Sequence, residues 1–291
     1  MWGKINLYKE SNMSSQQAVS RLRRLLKIKK IGHSGTLDPM ATGVLNCFVS
    51  QATKFIDLLP EGEKIYRADF ILGKTSDTLD IWGELISHSF IPPSEAEVVE
   101  KLGTFLGPSL QTPPMYSALK HKGKALYKYA REGVEIPRKK REIHISNLEL
   151  LGFDGEEGSI RIHCSRGTYI RTLIDDFGQL LGTGALMSGL VREKNDWARI
   201  EDCYTLQDIE GLIAQKDWGF LQSVDRNVDL VSIDIPINIY DDLLTGKTKT
   251  ILKGQGEGRV LLYYKDLFVG TAFWKEDELQ REKLIQVEHD T

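Results

Sequence analysis

Gly32-His33-Ser34-Gly35-Thr36-Leu37-Asp38-Pro39-Met40-Ala41-Thr42-Gly43-Val44-Leu45 is the stretch that decides how this chain is to be read. Three glycines in fourteen positions let the backbone turn sharply and approach a ligand closely. Pro39 biases Asp38 toward an extended conformation. The run predicts a loop over residues 32–43 that leads into an apolar strand at 44–49. From spacing alone, an aspartate-proline turn with His33 as an ordinary loop residue is favoured by roughly two to one over a reactive site.

Outward from that loop, the pattern is of mixed type. Residues 5–8 alternate as a strand. Residues 14–26 follow a helical period, with Val19, Leu22, Leu25 and Leu26 on one stripe and Ser14 and Ser15 as caps. Further strands are expected at 66–73, 143–153 and 159–165, and helices at 94–106, 169–181 and once or twice within 201–221. Pro113 and Pro114 exclude regular helix at 111–116. From about Val231 the texture changes to short β-like runs at 233–239, 248–252, 258–264 and 267–273, punctuated by glycines 246, 254, 256, 258 and 270. That is the pattern of a small β barrel or sandwich, and it places a domain boundary near Leu230.

With 291 residues and 41% hydrophobic content, the chain can bury real cores. No run of about 18 apolar residues predicts a membrane span, and the N-terminus carries no signal-like stretch. Cys47, Cys164 and Cys203 lie far apart and form no disulfide framework or metal knuckle, so a reducing cytoplasm is expected. The six histidines add no ligand spacing, and no metal is expected. The net charge of −3 conceals a segregated distribution. Arg21, Arg23, Arg24, Lys27, Lys29 and Lys30 form one acid-free cluster, and residues 120–141 are basic with Glu132 and Glu135 as their only acids. Local basic faces of this kind suit a polyanion such as RNA.

The 32–45 stretch closely resembles the signature of the tRNA pseudouridine synthase B family. The resemblance continues at Lys64-Ile65-Tyr66-Arg67, at Gly73-Lys74-Thr75-Ser76-Asp77-Thr78-Leu79-Asp80 and at Gln111-Thr112-Pro113-Pro114-Met115-Tyr116-Ser117-Ala118-Leu119-Lys120. It returns at Cys164-Ser165-Arg166-Gly167-Thr168-Tyr169-Ile170-Arg171-Thr172-Leu173-Ile174-Asp175-Asp176. Several motifs in the family's order reverse the estimate made from spacing.

The resemblance implies an α+β fold: a mixed, largely antiparallel sheet with flanking helices in a catalytic domain over 1–230, an RNA-clasping thumb insertion at 113–141, and a reduced PUA-like β domain at 231–291. It implies that the protein isomerises uridine to pseudouridine in the TΨC loop of tRNA, at uridine 55, after flipping the base out of the loop. Asp38 is then the catalytic nucleophile, Arg171 pairs with it, and Tyr66 stacks on the uracil and takes part in proton transfer. Leu190 lines the same pocket, His33 fills the space the base vacates, and Lys64 and Tyr169 bind substrate. Isomerisation gains and loses no atom, so no cofactor is expected; the expected partner is the TΨC arm of tRNA, met by a monomer. Two rivals stand beside this reading: a non-catalytic tRNA-folding factor, and a nucleoside-cleaving enzyme that releases the base.

Two departures from the family pattern bear on the site. A Lys-Pro-x-Gly loop is replaced by Lys9-Glu10-Ser11-Asn12, where Asn12 is expected to adopt a left-handed turn. Val191 stands where an arginine is usual.

Overall fold

The computed structural model describes residues 1–247, 249–252 and 256–286. Within them, two sheets dominate. The larger has nine strands, seven of which run in the spatial order Gly3–Lys9, Thr42–Val49, Ala185–Asn195, Lys64–Leu72, Glu157–Cys164, Arg141–Phe153 and Gly107–Gln111. Ile31–Ser34 pairs with Thr42–Val49, and Ala198–Arg199 with Ala185–Asn195. Neighbours are antiparallel except at one seam, where Val191 and Arg192 pair in parallel with Thr42 and Gly43. Gly43 is required there. Its φ is +102°, and a Cβ would lie 2.3 Å from the Arg192 carbonyl oxygen.

The seam separates two apolar cores. On one side, helix Ile170–Leu181 lays Ile170, Leu173, Ile174 and Phe177 against Ala68, Phe70, Ile160, Ile162 and Met187. On the other, helix Ser15–Leu26 buries Ala18, Val19, Leu22 and Leu26 with Ile5, Leu7, Leu45, Cys47 and Ile209. Ser14 caps this second helix in a full capping box with Gln17, as its sequence predicts. The smaller sheet, in the order Val231–Asp234, Glu257–Tyr264, Leu267–Lys275, Glu278–Leu284 and Lys249–Ile251, packs on the larger through Phe268, Leu261 and Ile285 against Phe48, Phe55 and Val224.

Several expectations are corrected. Residues 31–34 form a strand, because the start of the glycine-rich run pairs antiparallel with Asn46–Val49. Ala185–Asn195 is an unpredicted strand at the centre of the sheet. The run at 233–239 is strand only through Asp234. Pro236 then caps helix Ile237–Leu244, which buries Ile239, Tyr240 and Leu243 on one face. Residues 201–221 hold one α-helix, Leu206–Ala214. The expected positions Thr248 and Gly254 lie outside the described residues.

The altered N-terminal loop closes without proline or glycine. Asn12 takes φ +60° as expected, and the buried Lys9 ammonium donates to the carbonyls of Glu10 (2.9 Å), Met13 (2.7 Å) and Pro39 (3.3 Å). That last contact ties the loop to the residue beside Asp38.

Candidate active site

The 32–45 stretch leaves the strand at Ser34, crosses the mouth of a cavity of about 380 Å³ and re-enters the sheet at Thr42. A single hydroxyl anchors its middle: Ser15 Oγ accepts the Leu37 N–H at 2.8 Å and donates to the Leu37 carbonyl at 3.0 Å, both in the buried interior. Asp38 follows, with its side chain 34% exposed to the cavity.

Arg171 stands in the first turn of helix Ile170–Leu181, and its side chain is only 5% exposed. Its guanidinium makes a two-pronged pair with Asp38, Nε to Oδ2 at 2.9 Å and Nη2 to Oδ1 at 3.1 Å. Fork geometry of this kind fixes the plane of the carboxylate as well as its position. The remaining donors reach the carbonyls of Thr78 and Tyr116, each at 2.8 Å. A second carboxylate, Asp80, lies 3.7 Å from Nε and accepts the Thr78 hydroxyl and the Trp82 N–H. One guanidinium therefore joins the signature loop, the 76–82 turn and the root of the 113–141 insertion.

Tyr66 and Leu190 face the cavity from adjacent strands and are almost fully buried. Burial raises the Tyr66 phenol above its ordinary value, with the Arg192 charge opposing, so the phenol is neutral at pH 7. Lys64 lines the same cavity, with its pKa lowered to about 8 by burial and then by Arg192. Tyr169, also on the wall, is clamped by Gln111: the Tyr169 N–H donates to Oε1 (2.8 Å) and Nε2 donates to the Tyr169 carbonyl (3.0 Å). Arg141 stacks its guanidinium 5.2 Å from the Tyr169 ring.

Six of the seven candidate residues thus line one cavity: Asp38, Tyr66, Arg171, Leu190, Lys64 and Tyr169. His33 does not. It lies half-buried on the Ile31–Ser34 strand opposite Cys47, and burial followed by the Arg192 charge lowers its pKa, so the ring is neutral at pH 7. Sequence reasoning passed over Gln111 and Asp80, which stood inside quoted motifs, and Arg192. Arg192 lies one position beyond Val191 and is completely buried, donating through Nε to the Val44 carbonyl (2.8 Å) and through Nη2 to the Gly35 carbonyl (2.9 Å). Its place next to Val191, where the family pattern expects an arginine, was the signal that could have found it.

The insertion carries a short hairpin, Lys120–His121 with Lys124–Ala125, and helix Leu126–Ala130. Leu126 is buried, and Lys124 and Arg131 sit over the Tyr129 and Tyr127 rings at 4.4 and 5.5 Å. Among the described residues, no three His, Cys, Asp or Glu side chains gather as a metal-holding group, and no helix is long and apolar enough to cross a membrane.

The relatives of this chain are pseudouridylate synthases. In fold, the chain matches the Cbf5 protein of a Cbf5–Nop10–Gar1 crystal structure with a TM-score of 0.67 at 24% identity, over 97% of this chain and 84% of that one. The N-terminal domain of the TruB family pseudouridylate synthases matches residues 23–170. A tRNA pseudouridine synthase B from Shewanella sp. (strain MR-4) is 38% identical over 99% of this chain and 95% of its own length. One from Streptococcus gordonii is 36% identical over 98% and 100%. The chain belongs to the TruB family and is an enzyme, an isomerase that converts uridine to pseudouridine.

Proposed function

We propose that this enzyme acts on uridine 55 in the TΨC loop of tRNA, with Asp38 as nucleophile. The observation that carries this reading is the Asp38–Arg171 pair, set at the wall of a cavity shared with Tyr66 and Leu190. About 380 Å³ is in the range of small-ligand sites and suits one flipped nucleotide. The uracil lies on the Tyr66 ring with Leu190 on its other side. Asp38 supplies the electron pair that allows the C1′–N1 bond to break. Rotation of the base brings C5 to C1′, the new carbon–carbon bond forms, Asp38 is released with its electron pair, C5 gives up its proton and N1 gains one. Arg171 keeps the carboxylate aimed throughout, and the neutral Tyr66 phenol can relay a proton but does not carry a phenolate charge.

His33, neutral and outside the cavity, stacks where the base has left the loop. Residues 113–141 form the thumb that clasps the RNA. Residues 1–230 make up the catalytic domain, and residues 231–291, which carry the smaller sheet, make up a reduced PUA-like RNA-binding domain. The protein acts as a monomer in the cytoplasm without a cofactor.

Incubation with unmodified tRNA transcript, followed by carbodiimide mapping, tests the reading. Wild type should yield one pseudouridine at position 55 with no change in RNA mass, and Asp38→Asn should yield none while still binding tRNA. Base loss would favour the cleaving enzyme, and binding without product the folding factor.

A further inference from the structure

The floor of the cavity holds more positive charge than this chemistry uses. Lys64 is 7% exposed and faces the cavity. Among the described residues its ammonium has no hydrogen-bond acceptor and no carboxylate at ion-pair distance. Arg192 is fully buried; Nε and Nη2 are engaged, and Nη1 makes no hydrogen bond of good geometry among the described residues, with only the neutral Tyr66 phenol interacting with this guanidinium from the cavity side. Both free groups converge on one point of the signature loop. A Cβ built on Gly35 would lie 3.1 Å from Lys64 Nζ and 3.3 Å from Arg192 Nη1.

Buried cations are paired as a rule, because removing a charge from water is costly unless an opposite charge replaces the solvent. Here no nearby acid touches either group. Asp38 is held by Arg171, Asp80 lies beside the same guanidinium and accepts from Thr78 and Trp82, and Asp196, whose charge acts on Lys64 from beyond ion-pair distance, accepts the Gly62 N–H at 3.0 Å. A ligand can supply the counter-charge in direct contact. A neutral carbonyl of the base would leave two cations uncompensated, whereas a phosphodiester offers a full negative charge and two free oxygens.

We infer that Lys64, backed by Arg192 beneath Gly35, forms a phosphate subsite that grips one of the two RNA phosphodiesters flanking the flipped uridine. The inference rests on the proposed reading of the cavity as the uridine site. It gives the cavity a second handle: the base is held by Tyr66 and Leu190, and the backbone that delivers it is held at the floor.

The test uses a stem-loop RNA carrying the target uridine, with a neutral methylphosphonate at the 5′ or the 3′ flanking linkage, against wild type and Lys64→Gln. One of the two substitutions should weaken wild-type binding by about 10–100-fold, the scale of a charge-assisted contact. The same substitution should cost Lys64→Gln almost nothing, and Lys64→Arg should regain most of the loss. Lys64→Met serves as a second neutral variant should the glutamine protein fold poorly. Equal losses in wild type and variant, or no loss at either linkage, would overturn the subsite. A Lys64→Gln defect indifferent to both linkages would assign the lysine to the base and overturn it too. Absence of pseudouridine from the unmodified stem-loop with wild type would instead refute the functional reading beneath it.

Discussion

Replacing Arg171 by lysine keeps the charge and removes the fork. The arginine makes four hydrogen bonds, two to Asp38 and one each to the carbonyls of Thr78 and Tyr116. A lysine carries its donors on one nitrogen and cannot span three partners set around a planar guanidinium. If the ammonium follows Asp38, both carbonyls lose their donor. At about 1–3 kcal/mol for each buried group left unsatisfied, offset by local relaxation, the loss should be about 2–4 kcal/mol. For a chain of this length that corresponds to a fall in Tm of roughly 3–7 °C. The carboxylate would keep a cationic neighbour but lose its fixed plane, and a displacement of about 1 Å at a reacting group costs on the order of 100-fold in rate. Single-turnover assays at saturating enzyme should show that loss, with tRNA binding within a few-fold of wild type. A rate close to wild type in a protein with lowered Tm would refute the argument, since it would show that the aim of Asp38 does not depend on the fork.

Ser15→Ala should strand the buried Leu37 N–H and cost about 1–3 kcal/mol; an unchanged urea midpoint would show that the loop does not hang on this hydroxyl. Stability should also rise between pH 8 and 9. Lys4, Lys9 and Lys64, each lowered to about 8, release protons in the folded chain while unfolded lysines keep theirs up to 10.5, so the unfolded state binds more protons and rising pH favours folding. Above 9.0 the gain is opposed, because Cys47 and Cys203 stay protonated to about 12 in the fold but ionise on unfolding. A urea midpoint that falls from pH 8 to 9 would count against the buried lysines. Changing Lys139 and Lys140 to alanine should flatten the log–log salt dependence of tRNA binding by about 0.7–0.9 for each phosphate that the side chains cease to neutralise. Arg141 is left intact, because its interactions with Tyr169 and Gly167 shape the cavity wall. An unchanged slope would place the RNA backbone elsewhere.

What could be read from the sequence depended on local pattern. Helices 15–26 and 170–181 carry one apolar stripe and were legible. The central strand, Ala185–Asn195, was not: it is buried without clean alternation, and irregular register near Met187–Gly189 and Arg192–Lys194 breaks its period. Ile237–Leu244 was misread because a short run rich in isoleucine fits strand or helix equally, and only the buried face of Ile239, Tyr240 and Leu243 decides. The candidate site became legible through resemblance rather than spacing. Asp38 and Arg171 are 133 residues apart, and nothing local in either announces the other. Arg192 escaped even so, because its partners are backbone carbonyls supplied by a distant loop and the strand that follows it.

The parallel seam has a consequence for how the enzyme comes into being. Arg192 meets Val44 across 148 residues of chain, and that long loop must close before the sheet is continuous. As the chain emerges N-terminus first, the signature loop is made early but has neither Arg171 to aim Asp38 nor Arg192 to hold Gly35. An unfinished chain therefore carries Asp38 without a pocket. The central strand joins the two halves of the larger sheet and brings Arg192 beneath Gly35, so one pairing makes the sheet continuous and completes the support of the signature loop.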